Sequence, residues 1–528
     1  MSGAAAAADD VTTHPSAQVV LVIALGAGLA TLIDSAVVNY TAPAVTRELG
    51  ADTAAIQWFL ASYSLTFGLG LVPAGRLGDA LGRRGPLVVG LALFLLGALA
   101  SALAPIVAAA VGGRVVQGLG AGLISAQVLG LIQDGFHGPA RVRAFAAYTA
   151  AGATAAVLGP AVAAGLLTLL PEWLGWRAVL GISAPFSLAT LIVALRRLPV
   201  PSRSPRPHDR ARSGHRGRLS LDLPGVALLG TLVLLATLPV IDPGVASSGV
   251  PAVVAGGVLI IAALVLWETR EARRRRVPLF APALIRSAGF VSGNAVAALW
   301  FGSVLAHSSA ITLFLLQGAA LGAPLTALLL VPASLVRIAA SLLSARTHAR
   351  VGGSIVALGL GLQIVASIGI LIVLGVDAPL LSLLVVIVVA EAVSGVATGL
   401  LEPPLRAITL GFAPAALHGS AASFLQLTQR LSATFCVALV SGLLLAGSDG
   451  AGVTTVSRAG LAAALAVCTG LLGGALAIAL LPVLRRGTVA APASSAADVD
   501  SAAGLAADRA TGQAAETDEA PASGYPKA

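Results

Sequence analysis

Apolar runs of about 20 residues recur from Val19 to Leu481, and each is long enough to cross a hydrocarbon core as an α-helix. No other feature restricts the fold so tightly, because a segment in lipid must satisfy its backbone hydrogen bonds internally. Helices are therefore the expected spans; the period-two alternation of a membrane barrel is absent. Composition agrees: 57% of residues are hydrophobic and 10% charged, where soluble domains carry roughly a quarter charged residues.

About fourteen such spans can be counted, which makes the chain an all-α membrane protein. A Pro- and Arg-rich stretch, "RRLPVPSRSPRPHDRARSGHRGRLS", separates the first six from the rest. The expected organisation is a disordered N-terminus (1–17), a six-helix bundle (18–197), a basic linker (198–220), an inserted helix pair (221–267), a basic loop (268–288), a second six-helix bundle (289–484) and a disordered tail (485–528). The sixth span is expected from Trp176 to Leu195 and the twelfth from Ala378 to Leu401.

Arginines concentrate in every second loop: Arg76, Arg83 and Arg84, then Arg141 and Arg143, Arg196 to Arg218, Arg270 and Arg273 to Arg276, and Arg346 and Arg350. The intervening loops are nearly bare of positive charge. By the positive-inside rule both termini are expected in the cytoplasm, with the chain as a multi-pass protein of the inner or plasma membrane. The same distribution accounts for the net charge of +9 through orientation and contact with anionic lipid, without a nucleic-acid partner. The opening "MSGAAAAADDVTTHPSAQ" is acidic and lacks the basic flank of a secretory signal, so the first apolar run is expected to be retained.

The two sets of six spans echo one another. "RTHARVGGSIVALGL", from Arg346, occupies the place in the second set that "RLGDALGRRGPLVVG" occupies in the first, with Arg346 where Arg76 stands and Gly352 where Gly82 stands. Ala349 replaces the acid, Asp79. Repeated halves around a midplane site are the architecture of secondary transporters.

"GRLGDALGRRG", from Gly75, resembles the loop signature of the major facilitator superfamily, with Gly75, Asp79, Gly82, Arg83 and Arg84 at its spacing. Physically, Gly75 and Gly82 suit a tight turn between helices, and Asp79 can accept from helix N-terminal amides or pair with an arginine, which would latch the inner side. "LIDSAVVNYTAPAV", from Leu32, resembles the first-helix signature of the fourteen-span drug:proton antiporters of the EmrB/QacA type. "RVVQGLGAG", from Arg114, resembles the superfamily's fourth-helix arginine motif, and "LGPAVAAG", from Leu158, its fifth-helix antiporter motif, although Ala163 and Ala164 stand where the family usually has two glycines. The resemblance implies a major facilitator fold of two six-helix bundles plus two inserted central helices, alternating access and outward drug transport driven by the proton gradient, with no cofactor.

Ionisable groups inside the spans carry the expected chemistry, since they are costly there. Asp34 lies deep in the first span and is a candidate to load and release a proton; bonding to Asn39 or Thr41 is the structural alternative. Arg114 keeps its charge and can act on a neighbouring carboxyl through its field, and the resemblance gives it a part in proton transfer. Glu391, the second mid-span acid, suits proton coupling or attraction of a cationic drug, with structural pairing as the alternative, and Glu402 lies about three turns further along the same helix, just before two prolines. Asn39, Gln117, Gln127, Asn294, His307 and Glu402 are the expected cavity residues. Arg337, Arg406 and Arg430 are expected near the inner surface as gate partners or snorkelling anchors, with Arg337 favoured as an anchor. Gly159, Pro160 and Gly165, with Gly152 and Ala163, are expected to give a bent, closely packed fifth helix that resists proton leakage.

No phosphate-cradling loop, zinc-protease pair, metal cluster or nucleophile elbow occurs, so neither an enzyme nor an ATP-driven pump is expected. Cys436 and Cys468 fall inside spans as packing residues. The expected partners are an amphipathic or hydrophobic small molecule, protons and lipid, bound by a monomer. A proton-coupled importer of a metabolite and a non-transporting membrane sensor are the alternatives.

Overall fold

The computed structural model describes residues 17–199, 223–241, 250–273, 281–321, 323–445 and 457–485. The expected N-terminal segment, basic linker and C-terminal tail lie almost wholly outside the described residues, as does the middle of the expected basic loop, 274–280. Among the described residues every regular element is helical, and twelve helical stretches are long and apolar enough to cross a membrane.

The first six stretches start with α1 (Ala17–Val37), which continues through a tight turn, Val38–Thr41, into α2 (Ala42–Leu49). Then come α3 (Thr53–Leu81), α4 (Arg84–Ala102), α5 (Val107–Gly135) and α6 (Gly138–Leu169), and the sixth stretch is α7 (Glu172–Gly181) followed by α8 (Ser183–Arg197). After these stand α9 (Leu223–Ile241) and α10 (Val250–Arg273), in the positions expected of the inserted pair, and the single turn α11 (Pro282–Ile285). The last six stretches are α12 (Ala288–Leu313), α13 (Ala323–Val351), α14 (Ser354–Gly375), α15 (Leu380–Gly411), α16 (His418–Leu445) and α17 (Arg458–Ala479).

Three boundaries differ from expectation. The sixth stretch begins at Glu172 and changes helix at Ile182. The α10 helix runs on through Arg270 to Arg273, because its Glu- and Arg-rich end is a good helix former outside lipid as well as in it. The α15 helix continues through Pro403 and Pro404 to Gly411, so Glu402 sits within it rather than at its end. Proline removes a hydrogen bond without ending a helix whose neighbours hold it.

The packing repeats between the two sets. In the first, α3 and α4 flank α5, while α1 lies on α6 and α8; in the second, α13 and α14 flank α15, while α12 lies on α16 and α17. The turns before α4 and α14 repeat too: Gly82 and Gly352, equated by the sequence echo, both have left-handed φ, 82° and 62°. A side chain is strained in that region and glycine is not. Between the sets, α6 packs on α13 and α15, and α16 packs on α3 and α5. The α9 helix packs on both α3 and α16 through Leu229, Leu232 and Leu427, with Leu264 of α10 behind, so the pair lies along one flank of the seam.

Glycines in "RVVQGLGAG" set how closely α5 is held. A Cβ on Gly118 or Gly122 would meet the α3 backbone at Tyr63 and Phe67, and one on Gly120 would meet α4 at Phe94. The alternation lets α3 and α4 approach opposite faces of α5, carrying the polar end of that helix into the interior. In α6, Gly159 lies against Ala36 and Val37 of α1, and Gly152 against Leu32. Gly165 has nothing within 4 Å of where a Cβ would be, so the close packing expected along this motif stops short of it. Both cysteines are free; Cys468 is buried in the core between α12, α14, α15 and α17, with Cys436 against it.

Candidate functional site

Asp34, Arg114 and Gln117 form one buried cluster. The Asp34 carboxylate accepts from Arg114 at 2.7 Å on Oδ2 and from the Gln117 amide at 2.8 Å on Oδ1, and Arg114 also donates to Gln117 Oε1 at 2.7 Å. Asp34 is 0% and Arg114 1% exposed. The Arg114 guanidinium lies 4.2 Å over the ring of Tyr63. Asp34 stands on α1 and Arg114 and Gln117 on α5, two helices that pack directly on one another. Neither Asn39, exposed in the turn after α1, nor Thr41, which donates to Val38 O, is bonded to Asp34. The buried cation takes the carboxylate instead.

A second buried acid–base pair occurs in the last six stretches. His307 Nε2 on α12 lies 3.0 Å from Glu391 Oε1 on α15, with His307 2% exposed. These helices are the first and fourth of their set, as α1 and α5 are of theirs, with acid and base exchanged.

A cavity of about 520 Å³ lies between the two sets, lined from α1, α3, α5 and α6 on one side and α12, α13, α15 and α16 on the other. Glu402 anchors its charged wall: Oε2 accepts from Arg337 at 3.0 Å and Oε1 is ion-paired with Arg406 at 2.6 Å. Arg337 is thus a cavity residue paired across helices, not a snorkelling anchor. Arg430 projects from α16 with its guanidinium 3.6 Å over Phe67. Thr31 and Ser35, one turn before Asp34 and next to it, line the same cavity from α1.

At the α3–α4 loop, Asp79 receives Gly419 N at 2.7 Å, Ser420 N at 2.8 Å and Ser420 Oγ at 2.7 Å, all from the first turn of α16. Those amides have no partner within their helix, and the carboxylate meets the positive end of the helix dipole. Arg83 bridges Asp79 at 3.0 Å and Asp134 at 2.9 Å, and His418 reaches Asp134 at 2.5 Å. Arg84 instead donates to Leu195 O at 2.8 Å. Gly82 makes the turn, whereas Gly75 lies inside α3 with its backbone against Gly419; its role is close approach, not turning. A further tie, Gln133 Nε2 to Leu410 O at 2.8 Å, joins α5 to α15.

Of the six residues expected at a cavity, Glu402 alone lines this one. Gln117 serves Asp34, and His307 serves Glu391. Gln127 donates to Ala74 O at 2.6 Å beside the Arg83 cluster, and Asn294 is buried and donates to Phe290 O of its own helix at 2.9 Å. Polar side chains in an apolar bundle take the nearest partner, so depth alone does not select cavity residues. Sequence reasoning missed Phe67, Tyr148, Gln426 and Gln429. Gln426 was detectable: Gln426, Arg430 and Thr434 recur every fourth residue, one polar stripe on a spanning helix.

The family model described as Major Facilitator Superfamily matches residues 23–437. Among curated proteins, a probable actinorhodin transporter from Streptomyces coelicolor is 30% identical over 80% of this chain and 71% of its own length. A cephamycin export protein from Amycolatopsis lactamdurans is 29% identical over 90% of this chain and 94% of its own. The fold matches that of a proton:xylose symporter of the same superfamily with a TM-score of 0.58 and 15% identity, covering 87% of this chain and 95% of that one. With its twelve apolar helices, its repeated packing and the Asp79 loop, the chain is a multi-pass transporter that belongs to the Major Facilitator Superfamily.

Proposed function

We propose that this protein exports an antibiotic-like amphipathic compound in exchange for protons, by alternating access. The observation that carries the reading is the adjacency of a buried carboxylate to a shared cavity: Asp34 is held by Arg114 and Gln117 while its neighbours Thr31 and Ser35 face the cavity. Protonating Asp34 removes its half of the ion pair and leaves Arg114 with a changed field. Arg114 stacks on Tyr63, Tyr63 lies 6.1 Å from Phe67, and Phe67 carries Arg430 at the cavity wall. A proton on one side of that stack and a compound on the other thereby bias the same helices, α1, α3 and α5, which is what exchange requires.

The Asp79 and Gln133 ties would have to break for access to change sides. With both termini and the α3–α4 loop in the cytoplasm, as the arginine distribution favours, those ties close the inner side and the cavity serves the outer. Glu391 with His307 is a second proton-exchanging pair in this reading. Export is favoured over import by the relatives, which bear export and transport names for antibiotics.

The test uses everted membrane vesicles containing the full chain. Energised vesicles should accumulate a fluorescent amphipathic compound from a panel of differing charge and lose it when a protonophore collapses the gradient. Uptake in right-side-out vesicles with none in everted ones would replace export by import, and binding without movement in either would favour a sensor.

A further inference from the structure

We infer that the central cavity selects organic anions: compounds with an aromatic or alicyclic body carrying a carboxylate, sulfonate or ionised phenol. This deepens the export reading and rests on the same cavity.

Three guanidinium groups, Arg337, Arg406 and Arg430, line the space, and Glu402 is the one carboxylate among its lining residues. Both Glu402 oxygens are already engaged, one by each of Arg337 and Arg406. Arg430 has no carboxylate within 4.0 Å among the described residues; its contact is the face of Phe67. Stacking of that kind occupies the plane of a guanidinium and leaves its N–H edge available. The wall therefore holds two more positive charges than negative ones, in a space otherwise bounded by groups such as Phe67, Phe301 and Leu305.

Unmet hydrogen bonds agree in sign with the charge. Nε of Arg337, Nε of Arg406 and Nε2 of Gln426 are buried without partners, and all three are donors. A buried donor left unpaired is costly, and a buried cation without a counter-ion more so, so a ligand that accepts hydrogen bonds and brings negative charge relieves both. A carboxylate or sulfonate can take two parallel N–H groups from the edge of Arg430 while its ring system lies along Phe67. A cationic compound meets the opposite conditions: net repulsion and a carboxylate each of whose oxygens is already paired with an arginine.

The test compares three fluorescent probes on the full chain in lipid nanodiscs, with empty nanodiscs subtracted. Anilinonaphthalene sulfonate is the anion, phenylnaphthylamine has the same ring skeleton without the charge, and ethidium is a cation. The anion should bind at least about ten-fold more tightly than its neutral counterpart, the scale of one charge-assisted pair. Arg430→Gln should remove about ten-fold of that affinity while leaving phenylnaphthylamine within about two-fold, and Arg430→Lys should recover part of it. Equal or tighter binding of the neutral or cationic probe overturns the inference. So does an Arg430→Gln variant that weakens all three alike, since that marks a structural effect.

Proton movement in energised vesicles separates this from the export reading. If the sulfonate binds as expected but no probe of any charge moves protons, export fails and the charge preference stands. If ethidium is carried with proton movement while the sulfonate neither binds nor moves, export stands and the inference is overturned.

Discussion

The two sets of six helices bury the same kind of pair with the charges exchanged. In the first, the acid is on the opening helix and the base on the fourth, Asp34 with Arg114; in the second, the base opens and the acid follows, His307 with Glu391. The repeated packing fixes which helices meet, since α1 and α5 correspond to α12 and α15, but not which of the two carries the acid. Arginine keeps its charge at any physiological pH, so the first pair always contains a cation and can change only at Asp34. Histidine and glutamate can both become neutral, so the second pair can exist without charge. The first is therefore the stiffer, more polarised site and the second the more forgiving one.

The largest expected effect tests that stiffness directly. Arg114→Met leaves Asp34 buried without its cation and should cost about 3–5 kcal/mol, read as a fall in thermal unfolding temperature of the purified protein. The double variant with Asp34→Asn should recover most of the loss, because it removes the orphaned charge. If the double variant is no more stable than the single one, the penalty comes from the lost stacking on Tyr63 and not from the unpaired acid.

Next in size is Asp34→Asn alone, which keeps the shape of the cluster and removes the carboxylate proposed to exchange the proton. Drug-evoked proton movement in reconstituted vesicles should fall by about a hundred-fold, the scale of a full coupling energy, while drug binding stays within a few-fold. Normal coupling in this variant would move the proton site to the second set and reverse the comparison.

How much of this was legible beforehand differs by range of interaction. The spans follow from hydropathy, a local property; of the two glycines expected to turn the chain Gly82 does so and Gly75 does not, and the left-handed φ shared by Gly82 and Gly352 emerges only in the structure. The Asp34–Arg114 contact spans 80 residues, and the sequence identified each as costly without identifying the other as its partner. Gln127 and Asn294 show the limit most plainly: both are polar and buried, yet a carbonyl on a neighbouring or own helix satisfies each. Arg337 lies 65 residues from Glu402 in the chain, and the pairing of Glu402 with Arg406 needed a helix that ran past Pro403 and Pro404.

The loops sharpen the comparison at lower energy. Asp79 has no counterpart in the second set, where Ala349 stands, so one loop carries the ion-based tie to α16. Asp79→Asn removes the charge from three contacts with the start of α16 and should cost the closed arrangement about 1–3 kcal/mol. A cysteine at Ser423, which lies against Gly75 in the seam, reports opening in a background without Cys436 and Cys468. Labelling by a membrane-impermeant maleimide should rise by about ten-fold or more in the Asp79→Asn background. An unchanged rate would mean that helix packing, not the carboxylate, keeps that side shut.

The smallest effect is expected at the pair that can discharge. Glu391→Gln preserves a polar contact to His307 and the shape of the side chain, so stability should change by less than about 1 kcal/mol. Drug-evoked proton movement should persist, reduced by no more than about five-fold, but with fewer protons moved per drug molecule than in the native protein. That ratio is the decisive reading, because a purely structural pair would leave it unchanged while altering rate alone. Loss of proton movement as complete as that of Asp34→Asn would make the two pairs equivalent partners in coupling. The exchanged placement of acid and base would then carry no difference in function, and the asymmetry between arginine and histidine would have to be explained by packing.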